Sequence, residues 1–217
     1  MMSLSMTPQL WTEFATVAVF HLLAVMSPGP DFAIVVKQSV THGRQTGMVT
    51  AMGVGLAILI HVTYSLLGIG LLIKNSQWLF SLMKYLAAAY LVYIGFKAIR
   101  AKAGSSEKID QEVNKPIPTK HSAFWIGFLT NGLNPKATLF FFSLFAVVIN
   151  PQTPLWAQAG YGLYMSLATA CWFILVATIF GHKRVRVAFE RMGHWFDRVM
   201  GAALILLGIK IATASLN

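Results

Sequence analysis

Acidic residues are scarce in this chain, seven Asp and Glu among 217 residues, and charged residues of either sign make up only 11%. Soluble domains carry about 25% charged and about 45–50% apolar residues. With 56% hydrophobic residues, a water-soluble globule is excluded and an integral membrane protein is expected. Cysteine is nearly absent too: the single Cys171 excludes a disulfide within one chain and a thiolate metal cluster. There is no nucleophile motif, phosphate-binding glycine loop or paired acid, so neither an enzyme nor a cofactor is expected. His21, His61 and Asp31 lie in apolar segments without His-x-x-His spacing or an acidic cluster. No metal site is therefore expected, and polar contacts between helices account better for the histidines.

What is present is a set of long apolar runs. A spanning helix needs about 20 mostly apolar residues, and six segments qualify: Leu10 to Val36, Met48 to Ile73, Trp78 to Ile99, Ala123 to Ile149, Leu155 to Phe180, and the short Val199 to Ala214. Met1 to Thr12 holds no Lys or Arg and so lacks the charged region of a secretory signal, which makes the first run a retained span. Trp11, Trp78, Tyr85, Trp125, Trp156 and Trp195 fall near span ends, where aromatic rings anchor at the interface.

The net charge of +10 would suggest a nucleic-acid partner in a soluble protein, but here the bases collect in loops between apolar runs. Alternate loops carry thirteen bases on one side, from Lys37 and Arg44 through Lys97 to Lys120 and Lys183 to Arg198, against Lys74, Lys84 and Lys210 on the other. Positive loops stay cytoplasmic, so both termini are expected on the non-cytoplasmic face.

The one hydrophilic stretch, Ala101 to His121, reads as a loop joining two halves. A single transporter domain over residues 1–217 follows, with repeat one at 10–100, a cytoplasmic linker at 101–122 and repeat two at 123–214. Ala88-Ala89 through Gly95-Phe96-Lys97 resembles Gly201-Ala202 through Gly208-Ile209-Lys210 at a spacing of 113 residues, and the first and fourth spans align by their prolines at 107. Three spans per repeat force the copies into opposite orientations, the inverted architecture of many secondary transporters. The expected fold is all-α: six transmembrane helices as two inverted three-helix repeats, the first and fourth broken at proline motifs. Ala88, Gly95, Gly201 and Gly208, spaced seven apart on their helices, are assigned to close helix packing.

The breaks are Ser27-Pro28-Gly29-Pro30-Asp31 and Asn134-Pro135-Lys136. Proline removes a backbone donor and pushes the preceding residue out of the α region. Backbone groups freed at membrane depth persist only where protein, a cavity or a ligand satisfies them, and matched interruptions in two halves point to a binding site. Asp31 is about six residues, roughly 9 Å, inside the cytoplasmic end of its span. An intramembrane acid is a functional-site candidate; capping of the helix resuming at Phe32 is the alternative. Lys136 lies deep in its span, with Asp31 as its natural partner, whereas Glu13 near an outer end is interfacial. Asn131 and Asn134 bring amides to the second break. An acid at one break and a base with amides at the other suit the two ends of a small zwitterion.

Met26-Ser27-Pro28-Gly29-Pro30-Asp31-Phe32 and Gly127-Phe128-Leu129-Thr130-Asn131-Gly132-Leu133-Asn134-Pro135-Lys136-Ala137 resemble the two signatures of the LysE/RhtB family of bacterial amino-acid exporters, and Asp31-Phe32 after Pro30 is most similar to the threonine and homoserine branch. The resemblance spans the whole chain. It implies efflux of a small neutral amino acid across the bacterial inner membrane, driven by the proton gradient without ATP or a cofactor. Pro28, Gly29, Pro30, Asn134, Pro135 and Lys136 match the family pattern. Other branches place Gln, Asn or Gly where this chain has Asp31, which confines any role of that acid to this branch. The expected partners are the amino acid, protons and lipid, with a homo-oligomer left open. The alternatives are a metal-cation exporter of the same superfamily and a non-transporting scaffold or lipid-handling protein.

Overall fold

The computed structural model describes residues 7–27, 29–75, 77–100, 117–150, 152–180, 182, 198–199 and 201–213. The described chain folds into α1 (Pro8–Met26), α2 (Pro30–His42), α3 (Arg44–Asn75), α4 (Gln77–Ile99), α5 (Lys120–Gly132), α6 (Pro135–Ser143), α7 (Leu155–Phe180) and α8 (Gly201–Thr213), with no strand among the described residues. Most of the expected linker, including residues 101–116, and Trp195 lie outside the described residues.

Proline sets three of these starts. Pro8, Pro30 and Pro135 each occupy the first turn of a helix, where the missing N–H would have been unpaired anyway. The hydroxyl of Thr7 caps α1 and that of Thr119 caps α5. The α2–α3 corner turns on Gly43 at φ 91°, a left-handed conformation that favours glycine. α3 has 32 residues, about 48 Å at the helical rise, more than a hydrocarbon core of about 30 Å requires.

Among the described residues, four helices are long and apolar enough to cross a membrane: Pro8–Met26, Arg44–Leu67, Ser81–Ile99 and Leu155–Phe180. The expected first span, Leu10 to Val36, is two helices, and α1 alone has spanning length because it begins at Pro8. The expected fourth span is likewise divided into α5 and α6. A π-helical turn at Leu144–Val148 prolongs α6, giving the shorter apolar helix Pro135–Val148, and Gly201–Thr213 is shorter still.

α3 is the central post and packs against α2, α5 and α7. It approaches α5 through glycine on both sides: a Cβ on Gly53 would collide with the Phe124 carbonyl, and one on Gly127 with the Thr50 carbonyl. Apolar side chains gain little from meeting each other rather than lipid, so close backbone approach between small residues is what joins such helices. α4 and α8 use the stripe read from the sequence. A Cβ on Gly95 would lie 2.6 Å from the Gly201 carbonyl oxygen, and one on Gly208 would lie 2.9 Å from that of Ala88, which makes the crossing antiparallel. α3 and α7 also pack antiparallel, Gly55 against Ala170 and Gly162 against Val62.

Glu13 ties the N-terminal part of α1 to the turn before α7, accepting the Asn150 N–H at 2.7 Å and the Thr153 hydroxyl at 2.9 Å. The acid thus acts as a structural clamp. Glu13→Ala is expected to lower stability by about 1.5–3 kcal/mol, the range for hydrogen bonds to a charged group. Thermal unfolding in detergent measures it; an unchanged melting temperature would assign the clamp no weight.

Candidate functional site

Both breaks face one partly open cavity, whose space with its open mouth included is about 430 Å³. It lies between two apolar clusters, with Phe140 and Phe141 on one wall and Phe32 and Phe173 on the other. Of the residues singled out in the sequence, Gly29, Asp31, Asn131, Asn134 and Lys136 line it. Pro30 and Pro135 are exposed and shape the breaks without lining the cavity. Pro28 lies outside the described residues.

The two breaks satisfy each other's polar groups. Asp31 Oδ2 accepts a hydrogen bond from the Nδ2 of Asn131 and another from that of Asn134, each at 3.0 Å. In the opposite direction, Lys136 Nζ donates to the Ser27 carbonyl at 3.0 Å. In an unbroken helix that carbonyl would accept the N–H of residue 31. Gly29 lies beside the lysine: a Cβ there would touch Lys136 Nζ at 3.4 Å, an ordinary van der Waals contact. Asp31 and Lys136 thus share the cavity and feel each other's charge, while their hydrogen bonds run across the breaks.

Helix capping is distributed differently from the expectation for Asp31. Pro30 takes the first helical position, so the cap of α2 is Gly29, without a side-chain bond, and Asp31 sits inside the first turn. Its carboxylate is therefore directed at the second break. At α6 the cap is Asn134, whose Oδ1 accepts the Lys136 N–H at 3.0 Å, while its Nδ2 serves Asp31. One side chain thus closes a helix end and holds the acid.

His61, from α3, repairs the second break. Pro135 lacks the N–H that would meet the Asn131 carbonyl, and His61 Nε2 bonds that oxygen at 3.0 Å. A carbonyl only accepts, so Nε2 carries the proton and Nδ1 accepts from the Tyr64 hydroxyl at 2.6 Å. The ring stacks on Phe141, with centroids 5.5 Å apart. His21 makes the contact between helices expected of it, Nε2 to Thr169 Oγ1 at 3.0 Å, and also lines the cavity. No local pattern places either histidine at the site; the one signal is a polar ring on an apolar helix. His61→Leu is expected to lower stability by about 1–2 kcal/mol, since the Asn131 carbonyl keeps the N–H of Asn134. Thermal unfolding checks this, and no change would mean that the carbonyl does not need the imidazole.

Three buried atoms lining this region have no hydrogen-bond partner among the described residues: Asp31 Oδ1, Asn131 Oδ1 and His21 Nδ1. Buried polar atoms are nearly always paired, so unpaired ones in a cavity point to a ligand. The two oxygens accept protons and suit an ammonium, and Lys136 supplies a cation for an anion. No group of three His, Cys, Asp or Glu able to hold a metal ion occurs among the described residues.

Apolar helices of spanning length around a largely apolar cavity, into which polar groups of two broken helices converge, define a multi-pass membrane protein of the transporter class. The profile of the LysE type translocators matches residues 22–215, and the chain belongs to this family. It is 32% identical over 203 residues to the threonine efflux protein of Escherichia coli (strain K12), covering 91% of this chain and 96% of that protein. Its identity to the threonine efflux protein of Salmonella typhimurium (strain LT2) is 31% over 201 residues, with the same coverage. An uncharacterised membrane protein of E. coli K12, YahN, is 30% identical over 203 residues, covering 91% of this chain and 87% of its own length. No solved structure matches the chain. Membership of a translocator family makes this chain a transporter and not an enzyme.

Proposed function

We propose that the protein exports a small neutral amino acid, of the threonine or homoserine kind, from the cytoplasm across the bacterial inner membrane in exchange for protons. The observation that carries this reading is the meeting of opposite charges in one cavity, Asp31 and Asn131 acceptors beside the Lys136 ammonium. That arrangement is complementary to the ammonium and carboxylate of a zwitterion. The relatives named threonine efflux proteins support the substrate class.

Alternating access comes from rocking of two inverted repeats around this cavity, with both termini on the non-cytoplasmic face. Two antiparallel crossings support the repeat. A shift of 113 carries Ala88 onto Gly201 and Gly95 onto Gly208, and the contacts between these four residues exchange into one another. A shift of 107, the spacing of the proline breaks, carries Gly55 onto Gly162 and Val62 onto Thr169, one residue from the Ala170 contact. Equivalent helices crossing antiparallel imply a pseudo-two-fold axis in the membrane plane.

The test is flux of labelled threonine, homoserine and leucine from loaded proteoliposomes under an imposed proton gradient. Gradient-dependent export of one or more is expected; absence of flux for every amino acid would overturn the reading.

A further inference from the structure

His21 has one half of its ring accounted for. Its side chain is 1% exposed, Nε2 is held by Thr169, and Nδ1 is buried without a partner among the described residues. The ring lines the same cavity as Asp31 and Lys136, from a point on α1 six residues before Ser27, about 9 Å along the helix from the break. Around it are the rings of Phe140, Phe141 and Tyr164 at centroid distances of 6.2–6.5 Å. We infer that His21 is the specificity-determining residue of this cavity and that its Nδ1 bonds a hydroxyl on the substrate's side chain.

The hydrogen bond to Thr169 chooses the ligand's chemistry. Thr169 has a single hydroxyl, which either accepts from Nε2–H, leaving Nδ1 an acceptor, or donates to Nε2, leaving Nδ1–H a donor. A hydroxyl both donates and accepts, so it completes the ring in either tautomer. An apolar side chain of the same shape leaves a buried nitrogen unpaired, and sites built to bond a hydroxyl reject analogues that lack it. Threonine and valine are such a pair, equal in shape and different in one hydroxyl.

This inference rests on the proposed export of a zwitterion, and proteoliposome flux separates the two. The unmodified protein is expected to export threonine at least roughly tenfold faster than valine at equal loading. His21→Phe keeps an aromatic ring among its aromatic neighbours and removes both nitrogens. It is expected to bring threonine and valine within about twofold of each other, with valine export retained. His21→Asn, which restores a polar group, is expected to recover part of the preference. Equal export of threonine and valine by the unmodified protein would overturn the role of His21 while leaving amino-acid export standing, and so would a preference unchanged in His21→Phe. Loss of all flux in the unmodified protein would instead overturn the export reading. Should His21→Phe fail to assemble, competition of unlabelled serine, homoserine and valine against threonine in the unmodified protein decides: stronger inhibition by the hydroxylated compounds is expected, and equal inhibition refutes the inference.

Discussion

Asp31→Asn is expected to reduce gradient-driven export by roughly thirtyfold or more while leaving the amount of protein in the membrane unchanged. An asparagine at position 31 retains an oxygen that can accept from Asn131 and Asn134, the two donors now 3.0 Å from the carboxylate. The second break therefore stays braced. What disappears is the negative charge beside Lys136, and removing one member of a buried, hydrogen-bonded charge arrangement costs about 2–5 kcal/mol. Export from proteoliposomes under a proton gradient measures the loss, and full activity would remove Asp31 from the mechanism. Exchange of labelled for unlabelled amino acid in the same vesicles resolves its role. Retained exchange assigns Asp31 to the coupling proton, and lost exchange assigns it to the substrate ammonium.

Gly127→Val is expected to have the largest effect on assembly. A Cβ at this position would collide with the carbonyl of Thr50, and the reciprocal Gly53 is equally closed by Phe124. Backbone cannot rotate away as the end of a side chain can, so α3 and α5 would separate along their whole contact. Overpacking costs about 1–3 kcal/mol even where side chains can yield, and a larger penalty is expected against backbone. Membrane abundance and melting temperature should both fall sharply. Gly160→Ala, where a Cβ meets nothing within 4 Å, should match the unmodified protein. Normal assembly of Gly127→Val would mean that α3 and α5 are not held by close approach.

The proline breaks were legible because their cause is local: Pro30 and Pro135 dictate where α2 and α6 begin whatever surrounds them. So were the small-residue stripes of α4 and α8, which recur at a fixed spacing, although that spacing does not say that the two stripes meet each other. The partners of the site were not, since Asp31 meets amides 100 and 103 residues away and His61 meets a carbonyl 70 residues away, and no local pattern encodes such distances. The capping alternative for Asp31 fails for a chemical reason: proline claims the first helical position and moves the cap to Gly29. The π-helical turn after α6 had no counterpart in the pattern of apolar residues, which is uniform there.

The mutual bracing of the two breaks bears on the return leg of transport. An exporter that gives up its cargo outside must reorient unloaded, and a naked acid and base would make that step costly in lipid. Here Lys136 rests on the Ser27 carbonyl and Asp31 on two amides, so the protein carries internal stand-ins for the charges of its passenger. On the export reading, binding is then a swap of partners, and release restores a carrier that is already electrically quiet. On that reading the carrier returns with protons alone and needs no second amino acid as countersubstrate, which marks it for one-way discharge more than for obligatory amino-acid exchange.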